Sequence, residues 1–293
     1  MNNFYDIVFF HYPCQDGLAS AWVTHYYHKL HNMEIKLYPI QYGREIDINI
    51  VKNKRVIFCD FTPSNDVLDK IEEECQIIKI LDHHISAKER VVKEYAYYDI
   101  SRSGAGITWD YFFESSERPN FINWIEDRDL WNWKYKESAN FHAGFQMIIS
   151  TLQYDDFKTM FEMYDEIIKN PDKIHYYLDL GDLINRSIQN KAKNIAHQHS
   201  KKINYYKDNM ICIVNCPSEI ISEVGSILTK DYNFDFAVLW RYDHPKEQYI
   251  VSLRANNMVD VSKIATKYGG GGHKNAASFS TQINPLILFD GFD

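Results

Sequence analysis

The sequence has no run of 18 consecutive apolar residues, no cysteine pair at C-x-x-C spacing and no excess of positive charge. The first absence excludes a transmembrane helix. The second, with an odd total of five cysteines in 293 residues, argues against a disulfide framework and for a reducing cytoplasm. A formal charge of −8 argues against a broad basic face that wraps long nucleic acid, so any polyanionic ligand should be small or met by metal ions. The N-terminal stretch MNNFYDIVFFHYPCQDG has neither a basic leader nor a small-residue cleavage site. What is abundant is aromatic: 21 Tyr and 17 Phe read as a compositional bias, with base stacking by exposed rings as the functional alternative.

The first half alternates strand-like and helix-like segments. DIVFF (6 to 10), EIKLYPI (34 to 40), RVIFCDF (55 to 61) and QIIKIL (76 to 81) are short apolar runs suited to strands buried on both faces. DGLASAWVTHYYHKL (16 to 30) and SNDVLDKIEEE (64 to 74) read as helices between them, the second with Ser64 as its N-cap. EYAYYDIS (94 to 101) predicts one more strand and GAGITWDYFFE (104 to 114) a helix. From about 119 to 205 the pattern is helical, and ICIVNC (211 to 216), FAVLWRYD (236 to 243) and YIVSLRAN (249 to 256) restore strands. The expected organisation is a parallel-sheet α/β domain over 1–185, a linker helix over 186–206 and a smaller α/β domain over 207–293.

Open parallel sheets bind ligands outside the carboxyl ends of their strands. That rule gathers His11, Cys14 and Asp16 after the first strand, Asp60 after a later one, and Asp82, His83 and His84 after the next. Asp127 and Asp129 in IEDRDLW add carboxylates if their helix folds back over the same edge. Crowded acids repel and tend to protonate unless cations neutralise them. Oxygen and imidazole donors without a thiolate set suggest Mn²⁺ or Mg²⁺ more than structural zinc, and the histidines tilt the choice to Mn²⁺.

At this point LDHH (81 to 84) resembles the signature of the DHH phosphoesterase superfamily, which includes RecJ-like exonucleases, short-oligonucleotide ribonucleases, cyclic-dinucleotide phosphodiesterases and manganese pyrophosphatases. The resemblance implies a parallel α/β domain with two metals, joined to a smaller substrate-binding domain. It implies His11, Asp16, Asp60, His83 and Asp127 as ligands with Asp60 bridging, His84 facing the phosphate, Asp82 behind the histidines, and Asp129 as the alternative ligand or an orienting partner. SRSGAG (101 to 106) resembles the family segment whose helix start adds hydrogen bonds, which makes Ser103 a substrate-binding candidate, with an ordinary turn and helix cap as the alternative. Cys14 departs from the pattern, since most relatives carry an aspartate there. The variant is similar to a nanoRNase branch, with Cys14 or water completing the first metal.

The second domain contributes SLRANN (252 to 257) and YGGGGHKNAASF (268 to 279). Four consecutive glycines are costly to order and make sense where backbone amides approach an anion. Gly270, Gly271, Gly272, Arg254 and His273 are the candidates for holding a phosphate or base, against the alternative of a flexible loop before a helix. Their pattern resembles the DHH-associated domain, and Ser278, where relatives carry glycine, is expected in a helix or turn. The expected activity is hydrolysis of short oligoribonucleotides to nucleoside 5′-monophosphates. The alternatives are a RecJ-like single-strand DNA exonuclease, a phosphoesterase for cyclic nucleotides or 3′-phosphoadenosine 5′-phosphate, and a non-catalytic nucleotide-binding module. A homodimer is left open.

Overall fold

The computed structural model describes residues 3–84, 87, 93–114 and 116–289. They form two compact units, Met1–Ile184 and Asn185–Asp293. In the first, β1 (Ile7–His11), β2 (Lys36–Ile40), β3 (Arg55–Cys59), β4 (Ile77–Asp82) and β5 (Ala96–Tyr98) make a sheet of order β2-β1-β3-β4-β5. Every pairing in it is parallel. Among the described residues the crossover helices are α1 (Gln15–Leu30) and α2 (Asn65–Glu74). Ser64 stands at the N-cap of α2, but its side chain makes no capping bond.

Strand β1 shows why its sequence is continuously apolar. Val8 and Phe10 pack into a core with Trp22, Phe121, Phe141 and Phe145. Ile7 and Phe9 face the other way, into a core with Phe58, Leu68, Ile71 and Ile80. Alternate side chains point to opposite faces, and both faces are covered, so no position along the strand is left for a polar residue. The helices α3 (Gly104–Phe113), α4 (Asn120–Asp129), α5 (Lys136–Ile149) and α6 (Phe157–Lys169) follow, and Phe121, Phe141, Phe145 and Tyr164 from three of them build the first core.

The helix expected over 186–206 is observed as α7, Ile174–His199. It starts earlier than expected and ends earlier, because the chain turns into β6 (Asn204–Tyr206), which pairs with β7 (Asn209–Asn215). The second unit adds β8 (Phe236–Asp243), β9 (Gln248–Ala255), β10 (Gly271–His273) and β11 (Ala276–Thr281), in the sheet order β10-β11-β9-β8-β7-β6. Only β7 and β8 pair in parallel, across α8 (Ile221–Lys230). Helix α9 (Val261–Lys267) precedes the glycines, and α10 (Pro285–Leu288) closes the described chain. The glycine run therefore enters a β-hairpin, not a loop leading into a helix, and Ser278 lies in a strand. Ala277 and Phe279 are buried while Ser278 and Ser280 are exposed, the alternation that makes this segment a strand. Among the described residues no helix is long and apolar enough to cross a membrane.

Candidate metal centre

A sheet of order 2-1-3-4-5 reverses direction between β1 and β3, and a crevice opens there at the carboxyl ends. His11 ends β1, Asp60 follows β3, and His83 and His84 follow β4. Asp60 sits at φ +55°, in the left-handed region that Asp enters more readily than most residues. Its N–H still reaches Leu81 O at 2.9 Å, so the chain turns off the strand without losing its hold on β4. Asp16 lies in the first turn of α1, and Gly17 beside it is required because a Cβ there would run into His11 O.

His83 is the hub. Its Nε2 lies 3.1 Å from Asp60 Oδ1, 3.6 Å from Asp16 Oδ2 and 3.5 Å from Asp129 Oδ2. Burial pulls its pKa down, but the three surrounding carboxylates outweigh burial and hold it up at about 10. Asp16 is pushed well above the usual carboxylate range by burial and by the charges of Asp60 and Asp129. Asp129 rises for the same reasons, burial first. Burial would raise Asp60 too, yet the imidazoles of His11, His83 and His84 bring it below its usual value. The Cys14 thiol is pushed up by burial and the adjacent Asp60 and Asp16. The site thus calls for positive charge that the side chains alone supply poorly.

Two donor triads lie within metal-binding range: His11, Cys14 and Asp60, and Asp16, His83 and Asp129. A third grouping joins Asp60, His83 and His84 with Asp82. Among the described residues Asp60 Oδ2 is buried without a hydrogen-bond partner, 3.6 Å from His11 Nδ1. An orphaned carboxylate oxygen costs free energy unless a ligand meets it, so the donor set fits a divalent cation. Asp82 is different in kind. Its carboxylate accepts from Thr62 Oγ1 at 2.5 Å, from His83 N at 2.7 Å and from His84 N at 3.2 Å, and it lies 2.7 Å from His84 Nδ1. That bond to Asp82 is the main cause of a raised His84 pKa. Thr62 carried no signal in the sequence beyond its position two residues after Asp60.

The geometry sets two of the sequence candidates apart from the donor clusters. Asp127 does not join the donors: its carboxylate accepts from Lys134 N at 2.8 Å, Tyr135 N at 3.2 Å and Ser138 Oγ at 2.5 Å. Asp129, two residues on, occupies the place beside His83. Ser103 is fully buried, its hydroxyl accepting from Gly106 N as the N-cap of α3. The amides of this helix start reach the carboxylate cluster. Gly104 N and Ala105 N donate to Asp16 at 2.6 and 2.8 Å. Gly104 must be glycine, since a Cβ would meet Asp60 Cβ at 2.6 Å and Asp16 Oδ2 at 3.0 Å. Glu126, which the sequence reading missed, steadies this turn by accepting from Ser103 N and Arg102 Nε.

In the second unit, His273 pairs with Ala276 and Ala276 with Arg254, which puts Arg254 and His273 on one face of the sheet two strands apart. Gly271, Gly272 and His273 are exposed on the edge strand, with Gly270 half-buried before it. Arg254 is half-buried and donates to Leu253 O at 3.0 Å and Ser222 Oγ at 3.4 Å.

The fold is that of the DHH/DHHA1 phosphoesterase superfamily, and it carries clusters of Asp and His able to hold a metal. The DHHA1 domain family matches residues 209–285. Uncharacterized protein R106 of Acanthamoeba polyphaga mimivirus is 29% identical, over 98% of this chain and 70% of its own length. Oligoribonuclease NrnB of Bacillus subtilis is 25% identical over 73% of this chain, and the match spans 56% of NrnB. Among solved structures, the pGpG-specific phosphodiesterase PggH of Vibrio cholerae shares the fold with a TM-score of 0.55 at 12% identity, over 97% of this chain and 96% of that one.

Proposed function

We propose that the chain is a divalent-metal-dependent phosphodiester hydrolase that degrades short oligoribonucleotides to nucleoside 5′-monophosphates. The observation that carries this reading is the pair of donor triads joined through the 3.1 Å approach of Asp60 to His83. His11, Cys14 and Asp60 would hold one ion, and Asp16, His83 and Asp129 a second. The imidazole and carboxylate mixture suits Mn²⁺, with Mg²⁺ second. The likeness to oligoribonuclease NrnB supports the choice of substrate.

Bound cations would supply Lewis acidity toward the phosphate and the attacking water. The protein's own part begins with Asp82, whose four donors leave it to position His84, not to ligate. With Nδ1 held by Asp82, His84 keeps Nε2 as its remaining nitrogen, and its raised pKa favours a proton there. That proton can be given to a non-bridging oxygen or to the leaving group. Asp16 is held in place by the two amides of α3, which fix its oxygens before any ligand arrives. In the second unit, Arg254, His273 and the backbone of Gly270, Gly271 and Gly272 are assigned to anion binding.

The test is chromatographic product analysis with Mn²⁺ and four substrates: a diribonucleotide, a five-residue RNA, a long single-stranded DNA and 3′-phosphoadenosine 5′-phosphate. Monophosphate release from the short RNAs, lost in Asp60→Ala, is the expected result. Preference for the long DNA or for the bisphosphate would replace the substrate class, and metal binding without turnover of any of the four would refute the hydrolase reading.

A further inference from the structure

Helix α4 delivers Asp129 to the metal cluster, and the six residues after it do something the catalytic reading leaves unused. Trp131 and Trp133 are 55% and 42% exposed, and Tyr135 is 38% exposed. The two indoles sit edge to face with centroids 4.7 Å apart. The Arg128 guanidinium lies 4.5 Å from one ring centroid and 5.1 Å from the other, and Lys134 Nζ lies 5.5 Å from the Tyr135 ring. Three exposed rings and two cations are thus concentrated in eight residues of a chain with a net charge of −8.

The backbone is bent to make this display. Trp131 and Trp133 have φ of +58° and +55°. Bulky residues rarely enter that region, and they stay there only when their surroundings hold them. Here the hold is Asp127: its carboxylate takes the N–H groups of Lys134 and Tyr135, and its carbonyl takes that of Asn132 at 2.9 Å. A strained loop that leaves large rings in water adds little to the core, so the expenditure needs another return.

We infer that Trp131 and Trp133, backed by Arg128, form a stacking platform for a nucleobase of the substrate. The proposal rests on the phosphodiesterase reading and deepens it, because it makes the substrate a base-bearing nucleotide and not a bare phosphate ester or polyphosphate. Every base has a π-face, so an indole platform accepts bases with little sequence preference, and arginine adds cation–π attraction. The location fits. Trp131 follows Asp129 by two residues, so their Cα atoms are at most about 7.6 Å apart, and Asp129 Oδ2 is 3.5 Å from His83. A phosphate held at the carboxylates has its own base within reach of the rings.

The experiment compares the Mn²⁺-loaded parent protein with Trp131→Ala, Trp131→Phe and the Trp131→Ala/Trp133→Ala double variant. Substrates are a 5′-phosphorylated diadenylate and the same dinucleotide with its bases removed. The kcat/KM ratio between the two should fall by about 5- to 150-fold in the alanine variants, the span expected for one lost stack. The loss should appear in KM more than in kcat, and Trp131→Phe should restore most of it. A ratio unchanged in the double variant, with melting temperature and Mn²⁺ content as in the parent, overturns the platform while leaving the hydrolase reading intact. If the parent protein turns over neither substrate, the hydrolase reading fails and equilibrium dialysis decides this one. Tighter binding of diadenylate than of its abasic counterpart, lost in the double variant, supports the platform, and equal binding of both overturns it.

Discussion

Asp127 and Asp129 stand two residues apart on α4, and their replacement should produce opposite phenotypes. Asp127 is 4% exposed and holds three donors from the loop and helix that follow. A hydrogen bond to a charged group contributes about 1.5–3 kcal/mol, partly offset by relief of the carboxylate's own desolvation. Asp127→Ala should therefore cost about 3 kcal/mol, a fall of roughly 6–12 °C in melting temperature for a unit of this size. Asp129 instead faces Asp16 and Asp60 across His83, and burial and Asp60 both raise its pKa. Asp129→Asn should leave the metal-free protein as stable as before or slightly more stable, while weakening Mn²⁺ binding at least tenfold. Denaturant melts in chelator, paired with calorimetric Mn²⁺ titrations below the melting range, read both effects. The reasoning fails if Asp127→Ala abolishes metal binding at unchanged stability, or if Asp129→Asn binds Mn²⁺ like the parent.

Gly104→Ala would drive a methyl group into Asp60 and Asp16, costing ~1–3 kcal/mol of overpacking and lowering Mn²⁺ affinity by about tenfold or more; an unaffected titration would show that α3 does not fix these donors. Mn²⁺ at 100 times its Kd should stabilise the protein by about 2.7 kcal/mol, raising the melting temperature of the parent but not of Asp60→Ala. Stability should also fall with acid through His142, whose pKa is lowered from 6.5 to about 4 by burial and then by Arg128. Above pH 6.5 both states are neutral there and nothing is lost; as pH falls toward 4 the unfolded chain alone takes up the proton, so up to ~3 kcal/mol disappears over that window. The difference between the parent and His142→Gln in denaturant melts should change across pH 6.5 to 4, and a constant difference would contradict the assignment.

The parallel sheet was legible because strands buried on both faces leave no polar positions, as Ile7 to Phe10 illustrate. So was the convergence of His11, Asp60, His83 and His84, since parallel strands bring their carboxyl ends to one edge whatever lies between them. The hairpin of β10 and β11 was not read. Glycine has no side chain to mark a face, and the alternation that identifies the returning strand begins only at Ala277, where a helix seemed equally natural. Ser103 stayed open between two readings for a related reason: a serine before a glycine-rich helix start is as well suited to capping that helix as to holding an anion, and the capping bond to Gly106 N becomes visible only in the fold.

The segment Glu126-Asp127-Arg128-Asp129 resisted division from sequence because a helix sends successive side chains about 100° apart. Four charged residues in a row must then point all around the axis and meet four different neighbours. Glu126 accepts from Arg102 and from Ser103 N, at the start of the helix whose next two amides hold Asp16. Asp127 fixes the loop carrying Trp131 and Trp133, Arg128 lies against both rings, and Asp129 reaches His83. Spacing alone could establish that Asp127 and Asp129, some 200° apart, do not share a face. Which of them joins His83 and its neighbouring carboxylates is decided downstream, where the loop's amides at Lys134 and Tyr135 need a buried acceptor and Asp127 is the carboxylate that reaches them. The backbone's demand for hydrogen bonds thus takes one acid out of the donor cluster and leaves the other in it.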